Sequence, residues 1–175
     1  MDNLTVIVLA AGGGTRMKSK TMKVLHPIAG RTMIGHVLHA VQAVEPRRVV
    51  AVVGHQREQV AEHVRELLPE AVLAVQETQD GTGHAVRTAW EALPAEAREG
   101  TVLVVTGDTP LLRGDSLREF AEEHEAAQRA VSILSGIVPD PFGYGRVLRN
   151  EDGEDRKSTR LNSSHTVLSR MPSSA

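Results

Sequence analysis

Short β-branched runs alternate with longer amphipathic stretches from Leu4 to Val138, and that alternation leaves few folds open. The runs TVIVLA, RVVAVVG, AVLAV, TVLVVT and VSILSGIV are apolar on both faces, as strands of a parallel sheet are when helices cover both sides. Between them, Met33, Ile34, Val37, Leu38 and Val41 keep a helical period, as do Val60, Val64, Leu67 and Leu68. Ala85, Ala89 and Leu93 mark a third helix, and Leu117, Phe120 and Ala121 a fourth. Strand and helix repeated in this way predict a Rossmann-like α/β fold, an open, mostly parallel sheet with right-handed crossovers.

Such sheets bind ligands beyond the carboxyl ends of their strands, and the unusual residues of this chain gather there. AAGGGTR follows the first strand, GHQ the second, QETQDGTGH the third and TGDTPL the fourth. Four loops are thus expected on one rim. After Val138 the pattern changes to PDPFGYGRVLRNEDGE, whose NEDG turn predicts the opening of a β-hairpin. From Asp155 the chain becomes rich in Ser and Arg without strand or helix period, so no returning strand is expected. Residues 1–154 therefore read as an incomplete domain, and residues 155–175 as a disordered or non-native-looking tail, of the kind a read-through end produces.

Composition narrows the function. A chain of 175 residues suits one domain with a sizeable core. It has no cysteine, which excludes disulfides and thiolate metal sites and points to a cytoplasmic setting. The start, MDNLTVIVLAAGGG, has an acid where a signal peptide has basic residues, and its apolar run is too short to span a bilayer, so no membrane association is expected. The formal net charge is −2 with basic residues scattered along helices, and Trp90, Tyr144, Phe120 and Phe142 are the only aromatic side chains. Neither a phosphate-gripping stripe nor a base-stacking platform results, which argues against a nucleic-acid partner.

The glycine loop is the strongest local signal. Successive amides of Gly12, Gly13 and Gly14 can approach a phosphate closely because no Cβ intervenes. A Walker A motif nearly fits, with Lys18 and Ser19 in place, but Met17 stands where its last glycine belongs. The dinucleotide fingerprint fails at the same residue, and Gly54 and His55 replace the acid that would hold a ribose. His36 and His39 stand three apart on a predicted helix without an evident third ligand, so zinc is disfavoured. His84 follows G-T-G at a helix start, where satisfying local backbone groups is its expected task.

LAAGGGTRM followed by KVLHPIAGR, with QETQDGTGHA, GDTPLL and FGYGR further on, resembles the sugar-phosphate nucleotidyltransferases, and among them the uridyltransferase domains that make UDP-N-acetylglucosamine. The similarity runs from about Leu4 to Glu154. It implies a fold of the glycosyltransferase A-like type and transfer of uridylyl from UTP to N-acetylglucosamine 1-phosphate. It further implies that Leu9, Ala10, Ala11 and Gly12 face uracil and ribose, that Arg16 and Lys23 meet the triphosphate, and that Gln76 reads the uracil edge with Gly81, Thr82 and Gln79 nearby. Gly107 and Asp108 match the family's G-D pair, whose aspartate binds Mg²⁺, and Gly143 matches a backbone contact to the sugar. A homotrimer is implied for the full-length enzyme. Met22 departs from the family's proline before the lysine, and Thr106 from an aromatic before G-D. The family's sugar-side glutamate and asparagines have no counterpart in the matched stretch. Alternatives are another nucleotidyltransferase of the same fold, a noncatalytic nucleotide-binding remnant, and a P-loop NTPase.

Overall fold

The computed structural model describes residues 3–12, 17, 19, 21–54, 57–137, 139, 140, 142, 146–149, 155–159 and 166–171. Gly13, Gly14, Arg16 and Gly143, four of the expected site residues, lie outside these.

The central sheet has the order β5-β4-β1-β6-β10-β7, with β1 Leu4–Leu9, β4 Arg48–Val53, β5 Val72–Val75, β6 Gly100–Thr106, β7 Val131–Leu134 and β10 Thr166–Met171. Strands β5, β4, β1 and β6 run parallel, as their two-faced apolar pattern predicts. A short pair, β2 Pro27–Ile28 with β3 Arg31–Thr32, precedes the first long helix.

Residues of β1 are buried alternately against the two faces of the sheet. Leu4, Val6 and Val8 join one core with Val49, Ala51 and Val53 of β4 and Leu103 and Val105 of β6. Three helices cover that face: α1 Met33–Gln42 through Ile34, Val37, Leu38 and Val41, α2 Arg57–Leu67 through Val60 and Val64, and α4 Gly114–Ala126 through Leu117 and Ala121. Ile7, Val50, Val52, Val102 and Val104 point to the other face, covered by α3 Thr82–Glu91 through Ala85 and Ala89. Small side chains on α3 let this single helix lie close to the sheet.

Two departures from the sequence pattern concern the end of the chain. The predicted hairpin opened by β8 Arg146–Arg149 does have a returning strand, β9 Asp155–Thr159, paired antiparallel with it. Strand β10 then enters the sheet between β6 and β7, antiparallel to both, so β7 meets β6 only through it. The physical reason is the open edge of β6, whose backbone amides and carbonyls pair with an extended segment. Strand β7 is correspondingly less buried than a central parallel strand, with Val131 55% exposed.

At the amino ends of the strands, Asn3 fixes the register. Its carbonyl accepts from the Thr101 N–H, and its side chain joins Glu99, Arg47 and Arg48. Helices α1 and α4 meet at Gly114, where an added Cβ would lie 2.4 Å from the Ala43 Cβ and 3.1 Å from the Ala40 carbonyl oxygen. Gly114→Ala should therefore destabilise the fold by about 1–3 kcal/mol through overpacking. Urea denaturation checks this, and Ala43→Gly in the same chain should recover part of the loss.

Candidate active site at the switch point

The chain leaves β1, adds β4 and β5 on one side, and returns to β6 on the other, so the winding direction reverses between β1 and β6. A crevice opens at such a point because successive loops diverge, and it is where an open α/β sheet receives its ligand. Leu9 and Thr106 face each other across it in register.

Hydrogen bonds tie the four strand ends into one rim. Gly107 N–H donates to the Leu9 carbonyl at 2.9 Å, Ala10 N–H to the Val52 carbonyl at 2.8 Å, and Gln76 N–H to the Val53 carbonyl at 2.8 Å. Gln79 Nε2 donates to the Ala11 carbonyl at 2.7 Å, joining the third loop to the glycine loop. The side chains of Ala10 and Ala11 are buried, so this stretch offers a ligand its backbone. At Gly12 an added Cβ would meet no described atom within 4 Å.

Gly54 is a residue that the motifs did not single out for the site. A Cβ there would lie 2.7 Å from the Ala11 carbonyl oxygen, so a glycine at the end of β4 is what lets the first loop pass over the second. Gly81 has φ +93°, a conformation side chains resist, and serves as the N-cap of α3, with Thr82 as its first residue. The amino end of that helix therefore faces the rim beside Gln76 and Gln79.

Lys23 and Asp108 close the crevice. Lys23 begins a short 3-10 helix, held between the buried side chains of Met22 and Val24. Met22 has φ −56°, close to the value a proline would impose, so the departure from the family's proline leaves the backbone path intact. Lys23 Nζ donates to Asp108 Oδ2 at 2.7 Å, across 85 residues of sequence. Burial pushes the Asp108 carboxyl up, but the Lys23 hydrogen bond, the Thr106 hydroxyl, the Lys23 charge and its own backbone amide together hold it below the ordinary value. Thr106, where the family has an aromatic, thus stabilises the carboxylate, while its carbonyl accepts from the Thr109 hydroxyl at 2.8 Å.

A single ionised carboxylate fits Mg²⁺, which takes one or two carboxylates and completes its shell with phosphate oxygens and water. Among the described residues no group of three or more His, Cys, Asp or Glu side chains could hold a metal by itself. His36 Nε2 is paired with the Ile28 carbonyl at 2.8 Å, in keeping with a structural histidine. No helix among the described residues is long and apolar enough to cross a membrane.

Strand ends converging at a switch point, with Gly12, a buried amide and a lysine–carboxylate pair around it, define an α/β domain of the nucleotidyltransferase class. Comparison with known proteins agrees: residues 6–163 match the MobA-like NTP transferase domain, and the chain belongs to that family. It is 59% identical over 150 residues to the bifunctional protein GlmU of Thermobifida fusca (strain YX), covering 85% of this chain and 31% of that protein. It is 50% identical over 153 residues to the GlmU of Corynebacterium diphtheriae, covering 85% and 31%. The chain thus spans about a third of the length of these curated relatives. A putative glucose-1-phosphate thymidylyltransferase from Bacillus anthracis shares the fold with TM-score 0.74 at 18% identity, covering 95% of this chain and 71% of that one. A nucleotidyl transferase from Methanothermobacter thermautotroptrophicus does so with TM-score 0.66 at 21% identity, covering 97% and 72%.

Because the folded Asp108 titrates below its ordinary 3.8, the pair adds stability that is fully present above that pH and is lost as pH falls through the folded value. Asp108→Asn should accordingly destabilise the chain at neutral pH, with the difference from wild type contracting below pH 3.8. Urea midpoints across that range measure it.

Proposed function

We propose that this nucleotidyltransferase domain belongs to an NDP-sugar pyrophosphorylase that joins UTP and N-acetylglucosamine 1-phosphate to give UDP-N-acetylglucosamine and pyrophosphate. The observation that carries the reading is the Lys23–Asp108 pair at the switch point, one cation for phosphate and one carboxylate for a metal, set beside the buried amide of Gln76. The order of the motifs and the identity to the GlmU proteins support the same substrate pair.

In this reaction a phosphate oxygen of the sugar phosphate attacks the α-phosphorus of UTP, the bond to the β-phosphate oxygen breaks, and pyrophosphate leaves with that electron pair. The nucleophile is already an anion near neutral pH, so no general base is required. What the protein must supply is alignment of two polyanions and neutralisation of developing charge. Lys23 and Arg16 take the phosphate oxygens in this reading, with the amides of Gly12, Gly13 and Gly14 as further donors. Gln76 and the Gly81–Thr82 turn hold the base, and Gln79 keeps the Ala11 peptide in place. Asp108 would hold Mg²⁺, which when bound supplies charge neutralisation on the leaving pyrophosphate. Gly107 fixes the approach of the Asp108 loop to β1 through its bond to Leu9. The motif match gives Gly143 a backbone contact to the sugar in this reading.

Pyrophosphate release with N-acetylglucosamine 1-phosphate and, in turn, UTP, dTTP, GTP and CTP tests the assignment in the full-length enzyme. UTP should be used best, and a preference for GTP would sink the uridine reading. In the same enzyme, Arg16→Ala should lower kcat/KM at least about tenfold, the effect of losing a charge-assisted phosphate contact. Unchanged kinetics would remove Arg16 from the mechanism.

A further inference from the structure

Gln76 is only 4% exposed, and its carboxamide lies at the floor of the rim. Its Nε2 donates to the Gly81 carbonyl at 3.2 Å, and the same nitrogen lies 3.1 Å from Nδ1 of His84. A carbonyl oxygen can only accept, so the amide nitrogen and not the amide oxygen must occupy that corner. The second amide hydrogen then points at His84, whose Nδ1 receives it in the tautomer protonated on Nε2, whereas the tautomer protonated on Nδ1 would donate to the Thr78 carbonyl instead. Nδ1 also lies 3.0 Å from the Thr78 carbonyl. That oxygen already accepts from the Asp80 N–H at 3.0 Å, so the Thr78 carbonyl does not depend on the imidazole, whereas the buried amide gains a partner from it.

With both amide hydrogens engaged, Oε1 is the atom that Gln76 offers to a ligand. An oxygen acceptor there pairs with the N3–H of uracil. Cytosine presents a lone pair at the same ring position, and two acceptors would face each other. Were the carboxamide free to turn through 180°, its NH₂ would suit cytosine equally well.

We propose that His84 is a positioning residue that fixes the Gln76 carboxamide with Oε1 toward the base, so that the site selects a pyrimidine with a ring N–H over cytosine. The inference rests on the reading of this rim as the nucleotide site. His84 is the third residue of α3, a helix anchored to the sheet through the buried Ala85 and Ala89. Its ring is thus carried by a fixed element, and it reaches the base through Gln76 rather than by touching the ligand.

Two measurements test this. In the free chain, ¹⁵N resonances of the His84 ring should report an unprotonated Nδ1 and a protonated Nε2; a proton on Nδ1 would overturn the proposal with no nucleotide present. Calorimetry with UTP and with CTP on the 175-residue chain then measures selection. His84→Leu should reduce the ratio of UTP to CTP affinity about tenfold, the worth of one buried hydrogen bond. His84→Asn, whose side-chain oxygen can accept as Nδ1 does, should retain the wild-type ratio. A merely structural role would weaken both nucleotides alike in His84→Leu, and an unchanged ratio in that variant contradicts the proposal. A wild-type chain that binds both nucleotides equally would instead overturn the uridine reading, and with it the selection, whatever the tautomer.

Discussion

Strand β1 is the constraint on which the molecule depends. It is paired in parallel on both sides and buried on both faces, so its residues must serve two cores at once. A strand so confined cannot shift register by one residue without exchanging its two apolar sets, and its carboxyl end is therefore fixed relative to β4 and β6. That rigidity passes into the loop that follows. The carbonyl of Leu9, the N–H of Ala10 and the carbonyl of Ala11 are claimed in turn by Gly107, Val52 and Gln79. The backbone from Leu9 to Ala11 is thus preset, which is what recognition by main-chain groups requires in the proposed reaction.

Electrostatics complete the rim without strain. Lys23 and Asp108 satisfy each other at 2.7 Å, which avoids leaving either charge half-buried and unpaired. Both groups remain partly exposed, at 38% and 24%, so solvent screens the pair and its net contribution to folding is modest. Such a pair can part when a ligand offers each member a better partner. In the proposed reaction the lysine exchanges the carboxylate for phosphate oxygens, and the carboxylate exchanges the ammonium for a divalent cation. The sheet, by contrast, holds its geometry through that exchange, because no strand end depends on the Lys23–Asp108 bond.

Much of this was legible in the sequence because it depends on local pattern. Runs such as RVVAVV and TVLVVT announce buried strands by composition alone, and the four helices follow from apolar period. Lys23, Gln76, Gly81 and Asp108 could each be named from motifs. What they do to one another could not: the Lys23–Asp108 bond joins residues 85 apart, and the task of Gly54 arises only where Ala11 crosses it. Met22 illustrates the converse, since a departure from the family motif is absorbed by a buried side chain at a φ that a proline also adopts. The strands from Asp155 onward carry no such signal, because an edge of a sheet recruits extended chain on backbone hydrogen bonds, which leave little trace in side-chain pattern.

The account stands on one claim, that the carboxyl ends of β1, β4, β5 and β6 form a single nucleotide site. Titrating the ¹⁵N-labelled chain with UTP in the presence of Mg²⁺, and following backbone amides by NMR, tests it most directly. The account predicts saturable shifts at Gly12, Lys23, Gln76, Gly81 and Asp108, with Arg47 and Gly100 at the opposite ends of the strands unmoved. Saturable shifts at Arg47 and Gly100 without change at the rim, or no saturable shift at all, would contradict it.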